Sequence, residues 1–299
     1  MFDCLAQSVY FAPRGRRRLM LLGKNLAQKY LTDDDKIIGL IGDEGSGKSL
    51  LIRGMFPGLN LVNDDKGINI KPSSIIQDAR ENNFNSHTYH VDVRFETAFV
   101  QPWQLGEVVQ KAVDDGQRVV IEHFELLADH LELDADLLLG IGEEVLTMRP
   151  GVFSSHPEEI AEIVFDSIKY RRMAHTAEDL TSKVLEEELG VKKSTYHSDV
   201  KSGFVLQFEE KPEFDFDDLE TKINEVIADN KLVKFHDREH IKIGDETYPC
   251  SGPRIHVKKT GDIKNFRLIK ELKYDSKQER YLLTGLVGDE QSQFELSNK

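Results

Sequence analysis

Residues 36–56 read KIIGLIGDEGSGKSLLIRGMF, and this stretch decides the fold of the first half of the chain. Ile37 to Ile41 form a short, continuous apolar run, the pattern of a strand buried on both faces of a parallel sheet. Gly42-Asp43-Glu44-Gly45-Ser46-Gly47-Lys48-Ser49 follows and fits G-x-x-x-x-G-K-[ST] at every position. The next residues, SLLIRGMF, suit a helix. Strand, glycine-rich turn and helix make one βα unit. In such a turn the glycines let backbone N–H groups point at phosphate oxygens, and the N-terminus of the following helix favours anions. Gly42, Gly45, Ser46 and Gly47 are therefore expected to cradle the phosphates of ATP. Lys48 is expected to reach the β- and γ-phosphates, and Ser49 to offer its hydroxyl to Mg²⁺.

Outward from this unit the pattern continues. LMLLGKNLAQKYL (residues 19–31) has helical spacing and precedes it. TYHVDVRF (88–95) and QRVVIEHF (117–124) read as strands, with a helical stretch around Gly106 to Val113 between them. DLLLGIGEEVLTMR (136–149) reads as two short strands around a turn. Strands alternating with helices predict an α/β sheet. Nucleotide hydrolysis also needs an acidic residue at the end of a neighbouring strand. Asp92 and Glu122 are the candidates, so Lys48, Asp92 and Glu122 form the expected catalytic set, with Ser49 and Asp92 on Mg²⁺. Each acid has the alternative reading of an ordinary strand-end carboxylate.

PGVFSSHP (150–157) has the composition of a turn or linker, which divides the chain into residues 1–150 and 151–299. The second part opens with a strongly helical stretch, residues 158–190, stopped by Gly190. A strand (GFVLQFEE), a helix (DDLETKINEVIADN) and further strand-like segments follow, an α+β succession. Two domains suit the length of 299 residues. The net charge of −14 argues against a protein that coats nucleic acid over its whole surface. Two cysteines, Cys4 and Cys250, make no disulfide framework, and neither a signal-peptide pattern nor a run of about 20 apolar residues is visible. A cytoplasmic location is expected.

Three clusters in the second part have chemical potential: His175 to Asp179, the segment around His197, and Cys250 to His256. His175 and Asp179 are four apart in a helical stretch and share a face. With Cys250 and His256 they make a plausible Zn²⁺ set. The alternatives are a surface His–Asp pair and a buried apolar cysteine. Lys258, Lys259, Lys264, Arg267, Lys270 and Lys273 crowd residues 258–273 around Phe266. That stretch reads either as a solvated edge or as a tRNA backbone contact.

Residues 19–125 resemble the TsaE-type P-loop ATPase of the bacterial machinery for threonylcarbamoyladenosine in tRNA. The resemblance rests on LLGKNLAQKYL, the IIGLIGDEGSGKSLLIRG segment, His90-Val91-Asp92-Val93-Arg94-Phe95, and Ile121-Glu122-His123. It implies that Asp92 helps hold Mg²⁺ and that Glu122 lies near the γ-phosphate. The family's switch segment corresponds to Lys71-Pro72-Ser73-Ser74. Ser49 stands where that family has Thr, Arg94 at its Tyr and His123 at its Trp. Residues 160–287 resemble the second additional domain of alanyl- and threonyl-tRNA synthetases, also found in stand-alone trans-editing proteins. HTAEDLTSKVLEEELG (175–190), Cys250-Ser251-Gly252-Pro253-Arg254-Ile255-His256-Val257, Lys258 to Ile263 and Phe266-Arg267 carry this likeness. The family's second helix histidine is Asp179 here, and its Cys-to-His spacing is two residues shorter. The resemblance implies a zinc site that hydrolyses wrongly charged aminoacyl-tRNA. Taken together, the expected function is Mg-dependent ATP hydrolysis in tRNA modification or quality control, with protein partners of a tRNA-modification complex. The alternatives are a zinc-dependent trans-editing hydrolase and a P-loop small-molecule kinase; such kinases carry an arginine-bearing lid, and no clear lid segment is visible, although Arg80 and Arg94 lie in the right half.

Overall fold

The computed structural model describes residues 7–62, 72–153, 156–192 and 196–289. The chain forms two compact units, Met1–Ala12 with Arg16–Asp166, and Pro13–Gly15 with Ser167–Lys299. The first is a mixed α/β sheet unit and the second is richer in β-structure. They part between Asp166 and Ser167 rather than at the turn-like residues 150–157. Ile160, Ala161 and Val164 pack into the core of the first unit, which carries that unit past the turn and into a helix.

The first unit runs β1 (Gln7–Phe11), α1 (Arg16–Tyr30), β2 (Ile37–Ile41), α2 (Lys48–Met55), α3 (Ser74–Glu81), β3 (Thr88–Asp92), α4 (Val93–Glu96), α5 (Pro102–Asp114), β4 (Arg118–Glu122), β5 (Leu137–Ile141), β6 (Glu144–Met148), α6 (Pro150–Phe153) and the start of α7 (Pro157–Glu187). Its sheet has the order β1-β6-β5-β2-β4-β3. β5, β2, β4 and β3 are parallel, whereas β6 and β1 pair antiparallel at one edge. All five residues of β2 are buried, as expected of a central parallel strand. The strand expected over 88–95 ends early. The Asp92 carboxylate accepts a hydrogen bond from Phe95 N and caps α4, so the chain turns into a helix there. Gly23 and Gly54 let α1 and α2 touch backbone to backbone: a Cβ at Gly23 would collide with the Leu51 carbonyl, and one at Gly54 with that of Met20.

The second unit contains the rest of α7, then β7 (Tyr196–Val200), β8 (Gly203–Phe208), α8 (Phe216–Ala228), β9 (Val233–Phe235), β10 (His240–Ile243), β11 (Glu246–Pro249), β12 (Arg267–Leu268), β13 (Lys273–Asp275) and β14 (Arg280–Leu286). One antiparallel sheet has the order β12-β14-β8-β7, with β13 also on β14; the other is β11-β10-β9. Asp215 caps α8 by accepting from the backbone N–H groups of Asp217 and Asp218. Residues Met173 to Ser182 of α7 are buried without interruption. A surface helix would expose one face of such a run; this one is enclosed, and its polar side chains must find partners inside. Gly190, just beyond it, has φ 65°, which suits glycine at a helix end.

Candidate metal centre and phosphate loop

In the first unit, register puts Asp92 of β3 opposite Glu122 of β4, and Glu122 opposite Leu40 of β2. The C-terminal ends of three parallel strands thus meet beside the glycine-rich turn, where open α/β sheets bind their ligands. Gly47 precedes α2 with φ 103°, and a Cβ on it would collide with Leu19, so only glycine suits the position. The buried Lys48 Nζ donates to the carbonyls of Gly42 (2.9 Å) and Asp43 (3.1 Å). Burial lowers the Lys48 pKa, against the pull of Glu122, Glu125 and Asp92. Ser49 Oγ donates to Glu122 Oε1 at 3.0 Å. His90 Nδ1 accepts from Val62 N (3.0 Å), so its other nitrogen carries the proton and donates to Glu122 Oε1 at 3.2 Å. Burial alone would raise the Glu122 pKa; the His90 hydrogen bond and the charge of Lys48 hold it below the ordinary carboxylate value.

Lys48, Ser49, Asp92 and Glu122 therefore lie around one turn. Sequence reading assigned no role to His90 or Glu125. The hydrogen bond between Glu125 and His123 Nδ1 (3.2 Å) depends on a tight turn after β4 that no periodicity reveals. Ser73 precedes α3, and its N–H donates to the buried Glu96 carboxylate at 3.1 Å; Lys71 of the same expected switch segment lies outside the described residues. Arg80 and Arg94 are both exposed.

In the second unit, His175, Asp179, Cys250 and His256 come together. One ligand atom from each lies within 4.8 Å of all the others. α7 supplies the first two from successive turns of its enclosed stretch. Cys250 directly follows β11 and is fixed by its N–H to the Glu239 carbonyl (2.7 Å). A tight turn closed by Ile255 N on Gly252 O (3.0 Å) then returns His256 to the same place. Cys250 Sγ is 3.3 Å from His175 Nε2 and 3.2 Å from His256 Nε2, and the latter is 3.6 Å from Asp179 Oδ2. Among the described residues, Asp179 Oδ2 is buried and makes no hydrogen bond. A Cβ on Gly252 would sit 2.9 Å from His175 Nε2, and the Gly252 N–H donates to Cys250 Sγ (3.2 Å).

The histidine tautomers follow from their outer nitrogens. His175 Nδ1 faces the Glu178 carboxylate at 3.4 Å and must donate, because a carboxylate only accepts. His256 Nδ1 lies 3.2 Å from Thr176 Oγ1, whose own proton goes to the Arg172 carbonyl (2.9 Å) and which also accepts from Val257 N (3.1 Å). His256 Nδ1 is therefore the donor there. Both Nε2 lone pairs turn inward, toward Cys250. This is the outer bonding that orients histidine ligands in metal sites.

Burial, reinforced by the Asp179 charge, pushes the Cys250 thiol up. Burial raises Asp179 to about 6, and burial followed by the neighbouring His175 lowers His256 well below its ordinary value. Each shift disfavours charge, because burial is its largest cause. Glu178 behaves oppositely. Burial would raise it, but Arg14, His175 and His197 more than offset that and hold it ionised. The whole cluster is compatible with a metal-binding site.

The basic stretch is divided. Lys258, Lys259 and Arg267 are exposed, whereas Lys270 pairs with Asp217 (2.8 Å) and Glu220 (2.9 Å). Phe266 is buried in the core and offers no stacking surface. No helix among the described residues is long and apolar enough to cross a membrane. No protein-family model matches the chain, and no curated protein matches it.

Proposed function

We propose that the second unit binds Zn²⁺ through His175, Asp179, Cys250 and His256 and hydrolyses the ester bond of wrongly charged aminoacyl-tRNA. The convergence of the four ligand atoms within 4.8 Å carries this reading. A tetrahedron with Zn–N near 2.0 Å and Zn–S near 2.3 Å has edges of about 3.3–3.7 Å. Three of the six separations, 3.2, 3.3 and 3.6 Å, fit that size, and the others lie within 4.8 Å. Two imidazoles, a thiol and a carboxylate suit zinc, which accepts nitrogen, sulfur and oxygen ligands. Bound there, the ion would supply a Lewis acid for an ester carbonyl only by taking that oxygen in addition to the four protein ligands. Glu178 and Thr176 keep the two histidines in the ligating tautomer, and the buried walls of α7 exclude bulk water from the ligands. Elemental analysis of the purified protein is expected to find about one zinc per chain, and the protein is expected to deacylate mischarged alanine or threonine tRNA. Zinc without deacylation would make the centre purely structural; absence of both defeats the reading.

A second reading concerns the first unit. It binds ATP with Mg²⁺ and hydrolyses it slowly, with Lys48 on the phosphates, Ser49 and Asp92 on the metal and Glu122 placing water. The gathering of these four side chains at the ends of parallel strands favours it. A lysine–phosphate hydrogen bond contributes about 1.5–3 kcal/mol, or ~10–100-fold in affinity. Titration calorimetry on Lys48→Ala is expected to show that loss. Unchanged ATP affinity would remove Lys48 from the site, and phosphoryl transfer to a sugar or nucleoside would make the unit a kinase.

A further inference from the structure

We propose that His90 is a positioning residue for nucleotide hydrolysis, pinning the Glu122 carboxylate beside the glycine-rich turn. The assignment rests on the ATP reading of the first unit and adds the group that aims its water-placing acid. His90 lies two residues before Asp92 on β3, so the two side chains share one face of the sheet. Register extends that face to β4, where Val120 is opposite His90 and Glu122 is opposite Asp92. The diagonal from His90 therefore leads to Glu122, and His90 Nε2 meets Glu122 Oε1 at 3.2 Å. Ser49, in the first turn of α2, reaches the same oxygen at 3.0 Å. One carboxylate oxygen thus joins β3, β4 and α2.

The direction of this chain of bonds is fixed from its far end. Val62 N can only donate, so His90 Nδ1 accepts there at 3.0 Å and the imidazole proton sits on Nε2. The His90 side chain is 1% exposed and that of Glu122 is 7% exposed, so neither can turn to solvent for another partner. Among the described residues, both hydrogen bonds to the Glu122 carboxylate fall on Oε1 and none on Oε2.

The last torsion of a glutamate is broad and holds no orientation by itself. Two donors on Oε1 fix it and leave Oε2 to accept a hydrogen from water. The two donors are unequal. The Ser49 hydroxyl rotates, and in the ATP reading its lone pairs serve Mg²⁺. His90 has no such second task, and its backbone partner locks the tautomer that donates. A fixed, buried donor behind a catalytic carboxylate is the support that such a group needs.

A merely structural His90 would serve only to hold Val62, and two amides separate the roles. Asparagine places its carbonyl oxygen near the Nδ1 position and can accept from Val62 N, with no donor for Glu122. Glutamine places its amide nitrogen near the Nε2 position and can donate to Glu122. The test uses the full-length protein with Mg²⁺ and ATP. His90→Asn is expected to lower kcat about 10–100-fold, the cost of a small misplacement of a catalytic group. His90→Gln is expected to recover most of that loss. KM and the calorimetric affinity for ATP are expected to stay within about threefold in both variants, because the interaction acts on the transition state. On a Glu122→Gln background, His90→Asn is expected to slow hydrolysis no further. Nitrogen NMR of the wild type without nucleotide is expected to show the His90 proton on Nε2, a measurement that needs no variant. His90→Gln slower than His90→Asn, ATP affinity falling in parallel with kcat, or a proton on Nδ1 overturns the assignment alone. If the wild type neither binds nor hydrolyses ATP, the ATP reading falls and the assignment falls with it.

Discussion

Cys250→Ala is expected to weaken zinc binding on the order of 10²–10³-fold, the share of one ligand in a total of about 10–16 kcal/mol. The wild-type protein should also bind zinc about tenfold more tightly for each unit of pH between about 7 and 8. The sign follows from the thiol. Burial and the neighbouring Asp179 hold Cys250 protonated well above the ordinary cysteine range, and a metal takes only the thiolate. One proton must therefore leave on binding, and rising pH favours its departure. Asp179, near 6, is already ionised over that interval and adds to the slope only at lower pH. Chelator competition at several pH values measures both effects, and calorimetry in buffers of different ionisation enthalpy counts the proton. At free zinc of 100 times the dissociation constant, binding adds about 2.7 kcal/mol to stability. For a domain of this size that is a shift of ~5–10 °C in melting temperature on chelation. An affinity flat with pH would mean that Cys250 is not a ligand.

Arg14→Met is expected to destabilise the second unit by about 3–5 kcal/mol, seen as a lower urea midpoint. Arg14 is buried, donates to the Gly203 carbonyl at 2.8 Å, and lies 3.3 Å from Glu178 and 3.0 Å from Asp199. Its loss removes a buried cation from beside two carboxylates. Burial alone would raise the Glu178 pKa, and Arg14 is the largest opposing influence, followed by His175 and His197. The folded value lies below the unfolded one of about 4.3. The stabilisation is therefore present above about pH 4.3 and is lost as pH falls through the folded value, in strong acid. The difference between wild type and variant should stay level from about pH 8 to 5 and shrink only below about pH 4. Arg14→Met combined with Glu178→Gln should recover part of the loss, since no unpaired charge then remains at that oxygen. Equal midpoints for wild type and Arg14→Met would show that the pair contributes nothing.

Local pattern in the sequence carried much of this fold. The apolar run of β2, the helix of residues 157–187 and the hairpin of β5 and β6 follow from periodicity and turn residues. The four cluster residues were legible because helical spacing pairs His175 with Asp179 and because the second family likeness points to Cys250 and His256. The contacts that tune the site were not legible. Arg14 stands in a run of basic residues to which the sequence gives no partner, and only the folded chain takes it to Glu178. Glu178 itself looks like one acid among many in an acidic helix. Its two histidine partners are three and nineteen residues away, and the second requires β7 to lie beside α7. β3 ends at Asp92 because a side-chain cap wins over strand propensity, which periodicity does not reveal. The boundary drawn at residue 150 followed composition, whereas packing of Ile160 and Val164 sets the real one.

Residues Pro13–Gly15, between β1 and α1, belong to the second unit. That unit is therefore not a modular segment that can be excised at its obvious starting point. A fragment beginning at residue 151 or 167 would contain all four cluster residues and still lack the cation beneath Glu178. Dissection by truncation would then report an unstable, weakly ligating domain, and the defect would lie in the cut. A circularly rearranged or co-expressed form that returns Pro13–Gly15 to the second unit is the fair way to study it in isolation.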